Sequence, residues 1–332
     1  MLKDIELQVD DLIAKLRRRQ TVGSYNVAIA TSRLLLKVVS ASGCNDVRQL
    51  SAEVNHVGSL LQAAQPIELG VGNMVKRVLH LIREEHLIYT KSRASESSDT
   101  EADAVKDFRR NFVADVKQSI EEMIDELENT NANISNQAWE HIHSKEIILT
   151  VGNSATVATF LKEAARVREF QVIVAETSPS YSGHEMAVKL AEMKIDTTVI
   201  TDSAIFAVMS RVNKVILGAH AVTANGGVVA TCGSKVVAAA AKEYSTPVVV
   251  CTGMHKLSPS YPYDTDIFNL CVSPDPVISF EEGDVIDTVD IVNPQFDYIG
   301  PEDISLFITN IGTHPPSFVQ RLIHDSYVVE AA

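Results

Sequence analysis

Apolar side chains recur every three to four residues through the first ninety positions, and after about residue 146 they gather into short runs that alternate with helical stretches. The pattern therefore divides the chain. Ile5, Val9, Leu12, Ile13 and Leu16 mark a first helix, and Ala28, Leu34, Leu35, Val38 and Val39 fall in a second, Val27 to Val39. After the Gly43 stop, Val47, Leu50, Val54, Val57 and Leu61 carry a third helix, which Pro66 ends. Gly72-Asn73 precedes MVKRVLHLIREEHLIY, a fourth, with Met74, Val75, Val78, Leu79 and Ile82 on the apolar side and Lys76, Arg77 and Arg83 on the other. KSRASESSDTEADA, residues 91–104, loses nearly all apolar residues and predicts an exposed, poorly ordered acidic linker. A long helix follows over about 105–144, with Phe108, Phe112, Val116, Ile120, Ile124 and Leu127 as its stripe and Asn131–Asn136 as an interruption.

The second half predicts strands at Ile147–Val151, Gln171–Ala175, Thr197–Ile200, Lys214–Leu217, Pro247–Cys251 and Val289–Ile291, with helices between most of them. Such alternation indicates a mostly parallel sheet with right-handed crossovers. The expected class is α/β: a helical N-terminal domain (1–90), the linker (91–104), a long connecting helix or helices (105–145) and a Rossmann-like domain (146–332).

Composition trims the options. A net charge of −14 opposes unaided binding to a phosphate backbone, so no direct nucleic-acid partner is expected. Cys44, Cys232, Cys251 and Cys271 are widely spaced, which signals neither a metal site nor a disulfide framework. The N-terminus lacks a secretory h-region and no window is apolar enough to span a bilayer. A cytoplasmic protein without metal or cofactor is the expectation.

Three loops follow strands, where open α/β sheets place ligands. Gly152-Asn153-Ser154 delivers a strand to a helix start, an arrangement that suits an anion and equally suits turn dihedrals and a cap. Glu176, His184 and Glu185 offer a carboxylate and imidazole set, with Gly183 as a point of close ligand approach; His184 as pocket or interface lining is the favoured reading, and Met209 joins it there. Asp202, His220, Asn225, Gly226 and Gly227 line the third, together with Cys232, which no neighbour activates. For each, a structural role competes with catalysis.

These residues sit in stretches that resemble a known family: VGNMVKRVLHLIREE (71–85), EHIHSKEIILTVGNSATVATFLKEAARVREFQVIVAE (140–176), GHEMAVKLAE (183–192), TDSAIFAVMSRVNKVILG (201–218), KLSPSYP (256–262) and NPQFDYIGPEDISLFITN (293–310). Together they are similar to the methylthioribose-1-phosphate isomerase superfamily, in its non-catalytic branch, the regulatory subunits of eukaryotic translation initiation factor 2B. The resemblance aligns the isomerases' catalytic cysteine with Gly152 and their catalytic aspartate with His220, so the acid/base pair is missing and Gly152, Asn153, Ser154, Asp202, His220, Asn225 and Gly226 would line a vestigial pocket. It implies a scaffold and regulatory role beside delta, alpha, gamma and epsilon subunits, sensing the phosphorylated alpha subunit of initiation factor 2. Lys76, Arg77 and Arg83 are candidate contacts to that partner. The alternative is a sugar-phosphate isomerase, or a sugar-phosphate or nucleotide sensor, built on the same loops.

Overall fold

The structure is a computed structural model that describes residues 3–93, 108–263 and 269–327. The linker expected at 91–104 lies almost entirely outside them. The chain divides into two compact units, Met1–Asn129 with Arg321–Ala332, and Thr130–Gln320.

Four helices open the first unit: α1 (Lys3–Arg17), α2 (Ser24–Ala41), α3 (Val47–Ala64) and α4 (Leu69–Arg93). Helix α4 begins before Gly72-Asn73 rather than after it. Asn73 is buried inside the helix, where the surrounding packing overrides its weak helix propensity. A π turn, Phe108–Phe112, leads into α5 (Val113–Ser135), and a short helix α6 (Ala138–His141) follows. The interruption expected over Asn131–Asn136 falls at its end, at Asn136-Gln137, which separate α5 from α6.

The unit boundary falls inside α5, and the sequence pattern explains why. Phe108, Phe112, Val116, Ile120, Ile124 and Leu127 join the core of the first unit, whereas Ile134, Ala138 and Ile142 join that of the second. One amphipathic stripe serves two cores, so periodicity alone carries no mark of the division. In the first unit the C-terminal Tyr327 is buried, and burial pushes its hydroxyl well above the usual phenol range, with Arg77 and Glu126 as its charged neighbours.

The second unit is built on a seven-stranded sheet. Its members are β1 (Ile147–Val151), β2 (Gln171–Ala175), β3 (Asp196–Ile200), β4 (Lys214–Gly218), β7 (Val248–Cys251), β9 (Leu306–Thr309) and β10 (Gly312–His314), in the order β10-β9-β7-β4-β1-β2-β3. All neighbours are parallel except β10 against β9. Strand β1 is apolar and buried along nearly its whole length, as expected of a parallel strand covered on both faces. Strand β3 (DTTVI) is polar and exposed because it is the sheet edge. The order reverses between β1 and β4, the switch point at which such sheets open a crevice.

A second, three-stranded sheet pairs β5 (Ala221–Val222), β6 (Val228–Thr231) and β8 (Phe296–Ile299). The small-residue stretch after β4 is therefore a hairpin. The strand expected at Val289–Ile291 is absent. Those residues are irregular, and the pairing partner of β6 is β8, whose FDYI lies beyond them.

Candidate functional site

Three loops meet at the carboxyl edge of β1, β2 and β3, and a chain of hydrogen bonds joins them. Gly152, with φ 67°, donates its N–H to Thr177 Oγ1 at 2.9 Å. The N–H groups of Thr177 and Ser178 donate in turn to the two carboxylate oxygens of Asp202 at 3.0 and 2.6 Å. Asp202 thus fastens the loop after β2 to the one after β3 and does not cap the helix that follows it. Charge-assisted bonds of this kind are among the stronger hydrogen bonds in proteins.

Asn153 and Ser154 are engaged nearby. The Asn153 amide donates to Glu185 Oε2 at 2.7 Å and its oxygen accepts from Lys189 Nζ at 3.0 Å, tying the turn to helix α8 (Ser182–Glu192). Ser154 caps helix α7 (Ala155–Ala165), its Oγ accepting from the Val157 N–H at 3.4 Å.

Gly183 does not serve ligand approach. A Cβ there would run into the carbonyl oxygen of Ala175, so the glycine lets α8 lie close against the end of β2. His184 follows it, half-exposed, its ring stacked on Tyr181 at 5.2 Å and its Nε2 3.9 Å from Glu176 Oε2. Met209 is buried in the short helix α9 (Ile205–Met209).

Asn225 and Gly226 belong to the β5–β6 turn. Asn225 Oδ1 accepts from Thr223 Oγ1 (2.7 Å) and the Gly227 N–H (3.1 Å), and its amide donates to Tyr298 Oη at 2.8 Å. Gly226 takes φ 83°, the left-handed conformation that such a tight turn demands and glycine supplies. His220 stacks on Phe296 with ring centres 4.3 Å apart, and its backbone N–H donates to Val229 O. It is thereby part of the packing of the small sheet.

Cys232 ends this hairpin. Burial, and after it the adjacent Asp297 carboxylate, pushes its thiol above the ordinary range, so it stays protonated. Asp297 itself accepts from the Gly233 and Lys235 N–H groups at 2.7 and 3.0 Å, holding the start of helix α10 (Ser234–Glu243). Thr177, Asp297 and Tyr298 were not legible as site residues. Asp297 lies 64 positions from Gly233, and no local pattern announces such a pairing.

Of the basic candidates on α4, Lys76 and Arg83 are exposed. Arg77 is not: it lies largely covered, in an ion pair with Glu126. A cavity of about 590 Å³ opens at the opposite, amino edge of β1–β3, lined by Lys145, Arg168, Lys194, Glu169 and Asp196 among others. Among the described residues, no group of three or more His, Cys, Asp or Glu is placed to hold a metal. No described helix is long and apolar enough to cross a membrane.

Fold and site together define a helical unit followed by a Rossmann-like α/β unit whose carboxyl-edge polar groups bind one another and the backbone. The model of the initiation factor 2 subunit family matches residues 20–316, and the chain belongs to that family. It is 42% identical to translation initiation factor eIF2B subunit beta of Dictyostelium discoideum, over 96% of this chain and 94% of that one. Among solved structures it resembles a chain of the tetrameric eIF2B-beta2-delta2 complex from C. thermophilum, with TM-score 0.76 and 31% identity over 97% of this chain and 95% of that one. The fold is shared with 5-methylthioribose 1-phosphate isomerase from Pyrococcus horikoshii, at TM-score 0.60 and 18% identity over 96% of this chain and 86% of that one.

Proposed function

We propose that this chain works as the beta-type regulatory subunit of translation initiation factor 2B, the factor that exchanges guanine nucleotide on initiation factor 2. The observation that carries the reading is the 42% identity, end to end, with a beta subunit of that factor. In this role it is a scaffold: it pairs with a delta-type subunit, assembles with alpha, gamma and epsilon subunits in the cytosol, and couples the phosphorylation state of initiation factor 2 to exchange.

The edge strand β3 and its neighbours support the pairing. Val199 on β3 and Val188 on α8, which packs against it, leave apolar side chains exposed, and Phe206 and Tyr244, in ring contact at 5.3 Å, add a second exposed apolar pair on α9 and at the end of α10. The beta2-delta2 complex is the precedent for such an assembly. The non-catalytic half of the reading rests on Gly152 and His220, which stand where the resemblance aligns an isomerase's cysteine and aspartate. A side chain at Gly152 would adopt φ 67° with its Cβ 3.4 Å from Thr231, so a thiol is not readily restored.

Sedimentation of the purified chain mixed with a delta-type subunit tests the proposal. A heteromeric complex is expected, weakened by Phe206→Asp; a chain that ignores the delta-type subunit overturns it. Incubation with methylthioribose 1-phosphate is expected to give no turnover, and measurable isomerisation would overturn the non-catalytic half.

A further inference from the structure

From Leu257 to Gln320 the chain carries eleven Asp and Glu residues and not one Lys or Arg. Six of the acids, Asp275, Glu281, Glu282, Asp284, Asp287 and Asp290, fall between residues 274 and 292. That segment is an excursion with a closed neck. Cys271 and Pro294 form an antiparallel bridge, the Val272 N–H donates to Asn293 O at 2.9 Å, and the Gln295 N–H donates to Leu270 O at 2.8 Å. The buried Asn293 side chain closes the neck further by donating to Ser273 O at 2.8 Å. Within the excursion the backbone makes its own turns, among them Val277 and Ile278 N–H to Pro274 O and Val289 N–H to Val285 O. A compact loop with its ends held together and its own internal bonds is a form that proteins reuse for recognition.

None of its described apolar side chains is fully buried. No described side chain from Ser273 to Val292 is buried, and Val277 (43%), Phe280 (59%), Val289 (52%) and Val292 (67%) stand well exposed. Burying a Val or Phe side chain is worth about 1.5–3 kcal/mol, so four left in water on a folded loop mark a surface that another molecule covers.

The charge identifies the occupant. We infer that the 274–292 excursion docks a polypeptide segment of another subunit or partner in which Lys or Arg residues alternate with apolar ones. The exposed valines and Phe280 supply the desolvated centre and the exposed Asp275, Glu281, Glu282, Asp287 and Asp290 the rim. Nucleic acid is disfavoured because its phosphates would meet an unrelieved acidic field. A second copy is disfavoured because a two-fold contact would set the same acidic rim against itself. The inference rests on the reading that the chain works inside a hetero-oligomer, and it adds a docking face separate from the β3 edge.

The test places a photo-crosslinking benzoylphenylalanine at position 280 in the chain assembled with its delta-type and remaining partner subunits, and maps the product by mass spectrometry. Crosslinks to a Lys- or Arg-rich segment of a different chain are expected. Yield should fall about fivefold in E281K/E282K at 0.1 M salt, and by a similar factor for the unreversed chain at about 0.5 M salt, where exposed charges are screened. No crosslink, a crosslink to another copy of this chain, one to a segment without basic residues, or a yield indifferent to charge reversal would each overturn the inference. Retention of the delta-type subunit, read on the same preparation, separates this outcome from failure of the proposed function. It is expected to be unchanged in E281K/E282K, because the β3 edge is untouched.

Discussion

The two edges of the parallel sheet differ in what their polar groups do. At the carboxyl edge, Asp202 and Asn153 are engaged by groups from neighbouring elements, and Ser154 caps the helix it opens. At the amino edge, charged side chains line an open cavity of about 590 Å³, with Lys145 and Lys194 exposed. At the fold's usual ligand edge these polar groups are thus bonded to one another and to the backbone. A carboxylate that accepts two short backbone hydrogen bonds rigidifies its loops and is poorly placed to take a proton from a substrate.

Substitutions at the two edges test this difference. The largest effect is expected for Gly183→Ala, which drives a methyl into the Ala175 carbonyl and should lower unfolding free energy in urea by about 3 kcal/mol. An unchanged midpoint would mean that α8 is not clamped to β2.

Next, Asp202→Ala strips the partner from two N–H donors and is expected to destabilise by about 2 kcal/mol. A stabilised variant would instead mark Asp202 as a strained functional group, and the contrast between the edges would collapse.

Asp303 gives a smaller, pH-dependent test. Burial alone would raise its carboxyl, but hydrogen bonds from Lys235 and Lys242, both at 2.7 Å, outweigh that and hold it below its ordinary value of 3.8. A lowered folded-state value stabilises above the unfolded one, and the benefit is lost as pH falls through the folded value. Asp303→Asn should therefore cost about 1 kcal/mol near neutral pH, with the gap to the unsubstituted protein closing below about pH 4 in denaturant titrations. A gap that persists in acid would assign the effect to packing.

At the exposed amino edge, Lys194→Ala is expected to change stability by less than about 0.5 kcal/mol in the same titrations, as for a surface charge without a buried partner. The least perturbing probe is alkylation at about pH 8. Cys251, whose thiol burial pushes up to about 12, should stay unlabelled in the native protein, while the exposed Cys271 reacts. Native labelling of Cys251 would show that the sheet centre opens.

Much of the architecture was legible in the chain because it rests on local periodicity. The spans of β1 and β2 and the stripe from Phe108 to Leu127 follow from side-chain spacing. The linkage of Gly152 to Asp202 was only half legible. Both residues stood out as strand-end groups, but the Thr177 that joins them did not, since a threonine two residues past a strand carries no distinguishing pattern. The β5–β6–β8 sheet was missed for the same reason: β5 is two residues long and β6 pairs with a strand more than sixty positions away.

By itself, then, the sequence determined the helical and α/β halves, the family and the acidic, lysine-free run from 257 to 320, each set by local spacing or by composition. Only the tertiary structure decided that α5 is shared between two cores, that Gly183 is required by a neighbouring carbonyl, and that Asp202 is engaged by backbone N–H groups. It also decided that Val277, Phe280, Val289 and Val292 remain in solvent. The physical reason is common to all four: each is a contact, or the lack of one, between groups distant in sequence, and helical or strand periodicity holds no record of them.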